Sequence, residues 1–341
     1  MDKKPVLARR ATQRDIARLA NVSQTTVSLI LGNSTTQSFP GETLERVFNA
    51  ARELGYVPNR LAQALKTHRT MTLACVVPDI GNPFYPTLVR GVQLAAEGEG
   101  YDVIVLNTHS DPEREQRVLQ WGMQGRVDGI VGVFFSLRAQ DFEPLTRAGI
   151  GILRIETSAK KRGPLPIDNL FVDNKAAATA ATRYLLERGY AHITMVTAAG
   201  GPQDARTMGY ERTMREAGLE PDIVVSTNFD EDGGHRAAHD ILARSKRPSA
   251  IFAANDLMAI GVMSALRDAG LSIPGDIAVM GFDDIFAARV LTPSLTTVNQ
   301  FQNVLGQVAA HMILQRITEL PPGTPARHRE MPFEVVSRAS A

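Results

Sequence analysis

The sequence predicts a small all-α head followed by a larger α/β body built on parallel sheets. Residues 1–70 hold 11 Lys and Arg against 5 Asp and Glu, while residues 71–341 hold 26 against 31, so a basic head precedes an acidic body. Three short amphipathic segments fill the head, and strand-like runs then alternate with helical ones, the pattern of parallel strands covered by helices. At 341 residues the chain exceeds a single core and accommodates two or three domains. A basic head on an acidic body suggests a polyanion partner for the head alone, although a solvated basic tail has the same charge.

Composition excludes several classes. With 44% hydrophobic and 21% charged residues the chain is neither disordered nor membrane-spanning, and no apolar run approaches the ~20 residues a bilayer requires. The charged stretch Met1–Arg10 lacks the apolar segment of a secretory signal, so a cytoplasmic protein is expected. The single cysteine, Cys75, lies in the apolar run 72–77, which excludes a disulfide scaffold or zinc ribbon and reads as buried packing.

In the head, Thr12-Gln13-Arg14-Asp15 has a capping hydroxyl followed three residues later by an acid, a helix start, with Ile16, Leu19 and Ala20 at helical spacing behind it. After the Asn21-Val22 turn, Ser23 caps a second helix through about Leu31, with Val27, Ile30 and Leu31 inside. A third helix places Leu44, Val47, Phe48, Ala51 and Leu54 on one face and stops at Gly55. Two short helices joined by a tight turn form a helix-turn-helix candidate, whose second helix would enter the major groove. Gln24 and Thr25 then reach base edges, while Thr26, Ser28, Arg14 and Arg18 meet phosphates. A generic polar helical face carries similar residues, so spacing alone leaves both readings open. A further helix of about nine residues, capped by Asn59, runs to Lys66 and is too short to be stable by itself.

The segments 11–28 and 54–59 resemble the LacI/GalR family of bacterial transcription regulators, and the likeness continues to the C-terminus. It implies a helix-turn-helix domain at 1–57, a hinge helix and linker at 58–70, and an effector-binding and dimerisation domain at 71–341. That last domain would be periplasmic-binding-protein-like, with one lobe at about 71–168 and 300–328 and the other at about 169–298 and 329–341, crossing near 168, 299 and 329. It also implies that the hinge folds when a homodimer sits on double-stranded operator DNA, with Leu65 wedged into the minor groove and Leu61 and Ala62 against the partner hinge. Thr12, Ser23 and Asn59 complete the expected DNA-facing set. Leu29 departs from the family, which often has arginine or histidine there; a leucine meets a thymine methyl or reads nothing.

In the body, strands are expected at 73–77, 103–106, 129–135, 150–155, 193–197, 223–226, 250–254 and 277–281. Ligands of such sheets sit beyond the carboxyl ends of the strands. There the sequence places Asn82, Phe84 and Tyr85, then Glu156, Arg206, Phe229, Asn255, Asp283 and Gln300, the positions that contact the effector in the resembled family. Arg206 is a donor fork, Asp283 and Glu156 accept, and Asn82, Asn255 and Gln300 do both, a set suited to a polyol whose ring lies against Phe84 and Phe229. Asn82, Asn255 and Asp256 read equally as helix caps. Relatives often have an Asp-Arg pair where this chain has Glu156-Thr157. Arg154, on the same strand face as Glu156, either restores the charge, favouring an acidic or phosphorylated sugar, or pairs with Glu156.

His235 and His239 sit four apart on a helix without a third ligand, so no metal is expected. Trp121 and Met123 read as core beside Val118 and Leu119. No catalytic signature and no cofactor fingerprint is present. The expected function is that of a repressor controlled by a sugar-like effector. Alternatives are control by a purine corepressor or by a phosphorylated partner protein, and, less well supported, an enzyme or a transport binding protein.

Overall fold

The computed structural model describes residues 11–32, 39–57, 64–65, 67–161, 163–199 and 201–341. The chain divides into two compact units, Met1–Thr70 and Met71–Ala341.

The head has the three expected helices, α1 (Gln13–Ala20), α2 (Gln24–Leu31) and α3 (Gly41–Glu53). Thr12 opens α1 through a capping box: its hydroxyl accepts the Asp15 amide at 3.4 Å, and the Asp15 carboxylate accepts the Thr12 amide at 2.9 Å. Asn21 ends α1 at φ 51°, a left-handed conformation that asparagine tolerates. The core is Ile16, Ala17, Ala20, Val27, Ile30, Val47 and Ala50. Leu19 and Phe48 are not in it and stand 46% and 42% exposed. Three helices this short bury only a narrow stripe, and Ala17 and Ala50, small enough for close helix contact, occupy it instead.

Among its described residues the body carries twelve strands: β1 (Thr72–Val77), β2 (Asp102–Asn107), β3 (Gly129–Gly132), β4 (Gly151–Glu156), β5 (Ile167–Val172), β6 (Ile193–Ala198), β7 (Asp222–Ser226), β8 (Ala250–Ala253), β9 (Ala278–Met280), β10 (Thr297–Asn299), β11 (His328–Met331) and β12 (Glu334–Val336). A parallel six-stranded sheet runs β11-β5-β4-β3-β1-β2, a parallel four-stranded sheet runs β7-β6-β8-β9, and β10 pairs antiparallel with β12. Helices α4 (Phe84–Gly98), α5 (Pro112–Met123), α6 (Glu143–Arg147) and α12 (Gln302–Thr318) belong to the first lobe. Helices α7 (Asn174–Glu187), α8 (Gln203–Glu216), α9 (Glu231–Leu242), α10 (Asp256–Asp268) and α11 (Phe286–Val290) belong to the second.

The six-stranded sheet runs a few residues past 168 and 329, near which the sequence places crossings between lobes. β5 and β11 pair along their whole length, Asn169 with His328 through Val172 with Met331, so 169–172 and 329–331 lie in the first lobe's sheet. Polar residues hid β5 from the hydrophobic pattern. Its Asp168 is fully buried, gripped by Arg316 at 2.6 Å and Arg327 at 2.6 Å. Burial alone would raise that carboxyl, yet the hydrogen bonds from Arg316 and Arg327 prevail and hold it below the usual carboxylate range.

Glycines set the helix spacing. A Cβ on Gly306 of α12 would lie 2.1 Å from the Leu88 carbonyl oxygen of α4, and one on Gly261 of α10 would lie 1.9 Å from that of Glu231 in α9. These helix pairs touch backbone to backbone. Cys75 is buried as expected, which pushes its thiol up to about 12. Met123, by contrast, is 55% exposed at the end of α5, and Trp121 is half-buried with Arg126 over its ring at 4.9 Å.

Candidate functional site

The carboxyl ends of both parallel sheets face a cavity in the body. From the first lobe, the loop after β1 supplies Asn82 and the start of α4 supplies Phe84 and Tyr85, while β4 ends in Glu156. From the second lobe come Arg206 on α8, Phe229 before α9 and Asp283 after β9, with Gln300 at the middle crossing. Eight of the nine residues expected around the effector thus line one cavity.

The ninth does not. Asn255 is fully buried with its side chain already committed: Oδ1 accepts the Met258 amide at 2.7 Å, capping α10, and Nδ2 donates to the Phe229 carbonyl at 3.0 Å. Its cap chemistry holds Phe229 in place, and the residue itself does not line the cavity. Asn82 does both jobs, since Oδ1 accepts the Phe84 amide at 3.0 Å while the residue lines the cavity.

Arg206 is the electrostatic centre. Its guanidinium is buried and lies over the Phe282 ring at 3.8 Å. Nε donates to Asn174 Oδ1 at 2.7 Å, Nη1 to the Ala254 carbonyl at 2.5 Å, and Nη2 to Asp283 Oδ1 at 3.3 Å. Burial lowers its pKa, against the pull of Asp283. Asp283 also accepts from Gln300 Nε2 at 2.7 Å. Its backbone stands at φ 123°, a conformation that costs a side-chain-bearing residue ~1–3 kcal/mol and is held by its neighbours. Here the Asp283 amide donates to the Val298 carbonyl at 2.8 Å, and the Gln302 side chain donates to the Asp283 carbonyl.

A second carboxylate lies behind the first. Asp256 is fully buried, accepting from Thr297 Oγ1 at 2.5 Å and the Ile285 amide at 2.8 Å. Burial first, then the charge of Asp283, pushes Asp256 up to about 7, and burial, opposed by Arg206, pushes Asp283 up to about 6. Burial also raises the Tyr85 phenol, which stays protonated as a donor.

Glu156 faces the cavity with its charge already met. Arg154 Nη2 stands 2.7 Å from Oε1 and Lys160 Nζ 3.4 Å from Oε2, while Arg154 does not line the cavity. Of the two readings of Arg154, the structure shows pairing with Glu156. Asn174, absent from the expected set, lines the cavity as well. In sequence the Asp173-Asn174 pair ahead of an alanine-rich run signals only a helix start.

In the head, Gln24 and Thr25 are exposed on the first turn of α2, with Gln24 Oε1 accepting from Arg14 Nε at 3.2 Å. Ser23 and Thr26 are joined at the cap, hydroxyl to hydroxyl at 2.8 Å, and Thr12 is engaged by Asp15. Ser28 is half-buried and Leu29 exposed. Leu65, with Ala64 and Thr67 helical around it, is 83% exposed. Asn59, Leu61 and Ala62 lie outside the described residues. Among the described residues no cluster of three His, Cys, Asp or Glu has metal-site geometry, and His235 Nε2 lies 3.3 Å from Asp268. No described helix is long and apolar enough to cross a membrane.

Comparison with known proteins places this architecture. Residues 12–59 match the family described as bacterial regulatory proteins, lacI family, and residues 182–341 match a periplasmic binding protein-like domain. The ribose operon repressor of Escherichia coli (strain K12) is 37% identical over 319 residues, 91% of this chain and 94% of that one. A LacI family transcriptional regulator from Enterococcus faecium, solved with bound ribose, superposes with a TM-score of 0.71 at 25% identity, covering 79% of this chain and 98% of that one. The lac repressor dimer bound to operator and an anti-inducer shares the fold over 97% of this chain and 99% of that one, with a TM-score of 0.85 at 23% identity. Head, body and relatives together define a DNA-binding transcriptional repressor, a class without catalytic activity. The chain belongs to the LacI family of bacterial transcription regulators.

Proposed function

We propose that this repressor is controlled by a small neutral polyol held between the two lobes, with D-ribose the first candidate. The observation that carries the reading is the charge balance of the cavity. Among the described residues the one cation that lines it, Arg206, is already paired with Asp283, and the carboxylate of Glu156 is met by Arg154 and Lys160 from outside the lining. Among the described residues no unpaired cation lines the cavity to offset the desolvation of a phosphate or carboxylate, whereas hydroxyls find both donors and acceptors. Phe84 and Phe229, on opposite lobes, supply apolar faces for a ring. A ribose-bound neighbour and a ribose operon repressor among the relatives agree with a pentose.

On the DNA side, a homodimer reads a near-palindromic operator through Gln24 and Thr25, and Leu65 inserts at its centre; the exposure of these three side chains supports that role. Ligand bound to both lobes biases their relative position and thereby operator affinity, with a coupling of ~1–3 kcal/mol. Thermal unfolding of the full chain tests the ligand class. D-ribose at about 100 times its dissociation constant adds ~2.7 kcal/mol of stability, and ribose 5-phosphate leaves the transition unmoved. Stabilisation by the phosphate alone, or by neither compound, contradicts the reading.

A further inference from the structure

Asn174 stands where the chain first passes from one lobe to the other, and its three polar groups face in three directions. Its amide nitrogen donates to the Thr157 carbonyl at 3.0 Å, next to the cavity carboxylate Glu156. Side-chain Nδ2 donates to the Val172 carbonyl at 3.0 Å, at the end of β5, reaching back over the crossing residue Asp173. Side-chain Oδ1 accepts Arg206 Nε at 2.7 Å. The orientation of this amide is unambiguous, because a guanidinium only donates and a carbonyl only accepts. The residue is 2% exposed, so neither bond is exchanged cheaply for water.

We propose that Asn174 is a positioning residue that ties the ligand-facing guanidinium of Arg206 to the angle between the lobes. The inference rests on Arg206 serving the ligand, as above. Thr157 and Val172 belong to the first lobe and Arg206 to the second, so a rotation about Asp173 shifts the amide against one partner or the other. A ligand that fixes Arg206 therefore fixes the crossing, and a change in lobe angle displaces Arg206. Two charged neighbours of this junction are held elsewhere: Asp173 Oδ1 accepts the Ala176 amide at 2.9 Å, and Glu156 is paired with Arg154.

Two substitutions separate the halves of this tie. Asn174→Asp is isosteric and still accepts from Arg206, but it turns an acceptor toward the Val172 carbonyl and breaks the bond across the crossing. Asn174→Ala loses both bonds. With full-length protein and D-ribose at a concentration that saturates each protein as probe, the ligand-induced change in operator affinity should fall from at least about fivefold in wild type to under about twofold in the Asp variant. The Ala variant should lose both binding and response. A purely structural role would lower the melting temperature of the Asp variant and leave the response intact, which overturns the proposal.

A ligand-free readout keeps the test independent of the choice of ribose. Spin labels at Gln140→Cys and Lys246→Cys, exposed positions on the two lobes, report the interlobe distance, with singly labelled protein accounting for a second copy. The Asp variant should show a broader distance distribution than wild type. A distribution as narrow as wild type's contradicts the tie whatever the ligand, whereas failure of wild type to bind ribose contradicts only the choice of effector.

Discussion

Arg206 and Asp283 form a buried ion pair, Nη2 to Oδ1 at 3.3 Å, with 4% and 5% of their side chains exposed. Neither charge has water to return to when the other is removed, and stripping one partner from a buried pair costs ~3–5 kcal/mol, far more than the pair's net worth. Arg206→Ala should therefore lower the unfolding free energy by about 3 kcal/mol, the low end because Asp283 can take up a proton. Ligand response should vanish while ligand-free operator affinity stays within about threefold. Denaturant unfolding together with operator binding checks both, and a variant that still responds to ligand would remove Arg206 from the site.

The paired carboxylates give the body an inverted pH dependence. Asp256 and Asp283 have folded pKa values of about 7 and about 6, above the ordinary aspartate value, so the folded state holds protons that the unfolded chain has released. Their contribution favours folding at low pH and is lost as pH rises through 6 and 7, by up to about 1.4 kcal/mol per pH unit for each group. Asp168, with its lowered pKa, acts in the opposite sense, but only as pH falls below the ordinary aspartate range. Melting temperature should therefore fall between pH 5 and pH 8. Asp256→Asn, which mimics the protonated acid, should flatten that slope; an unchanged slope would contradict the assignment.

Leu65 is a large apolar side chain on the head's surface with 83% of its area exposed. Leu65→Ala removes the wedge and leaves every basic group in place, so specific operator affinity should fall by ~1–3 kcal/mol while non-specific binding, set by phosphates, holds steady. Binding to operator and to scrambled duplex at one salt concentration checks this. Equal losses on both would make Leu65 an ordinary packing residue.

Gly306→Ala places a methyl 2.1 Å from the Leu88 carbonyl oxygen, a rigid backbone neighbour. Forcing α4 and α12 apart should cost ~1–3 kcal/mol or more of stability, read as a lower denaturation midpoint. A neutral result would mean that the two helices do not pack backbone to backbone.

Much of this was legible in the sequence, and the exceptions share a cause. Periodicity finds α1, α2 and the strands rich in branched residues because burial repeats there, but β5 contains Asp168, whose burial depends on Arg316 and Arg327 some 150 residues away in the chain. The same holds in the cavity. Asn82 and Asn255 are indistinguishable as residues at helix starts; one faces the cavity and the other spends its amide on Phe229, a choice made by tertiary contacts. Asn174 reads as a cap for the same reason, since nothing local reveals that Arg206 arrives at its Oδ1. Leu19 and Phe48 show the converse, apolar residues at helical spacing that stand 46% and 42% exposed.

Control of operator affinity by a neutral polyol can be read in a single titration. An operator is first selected from random duplex DNA with ligand-free protein, and its dissociation constant is then measured with increasing D-ribose and, separately, ribose 5-phosphate. D-ribose should change that constant at least about fivefold in wild type but not in Arg206→Ala, and the phosphate should leave it unchanged. A response to the phosphate alone, or a ribose response that survives in Arg206→Ala, would contradict it.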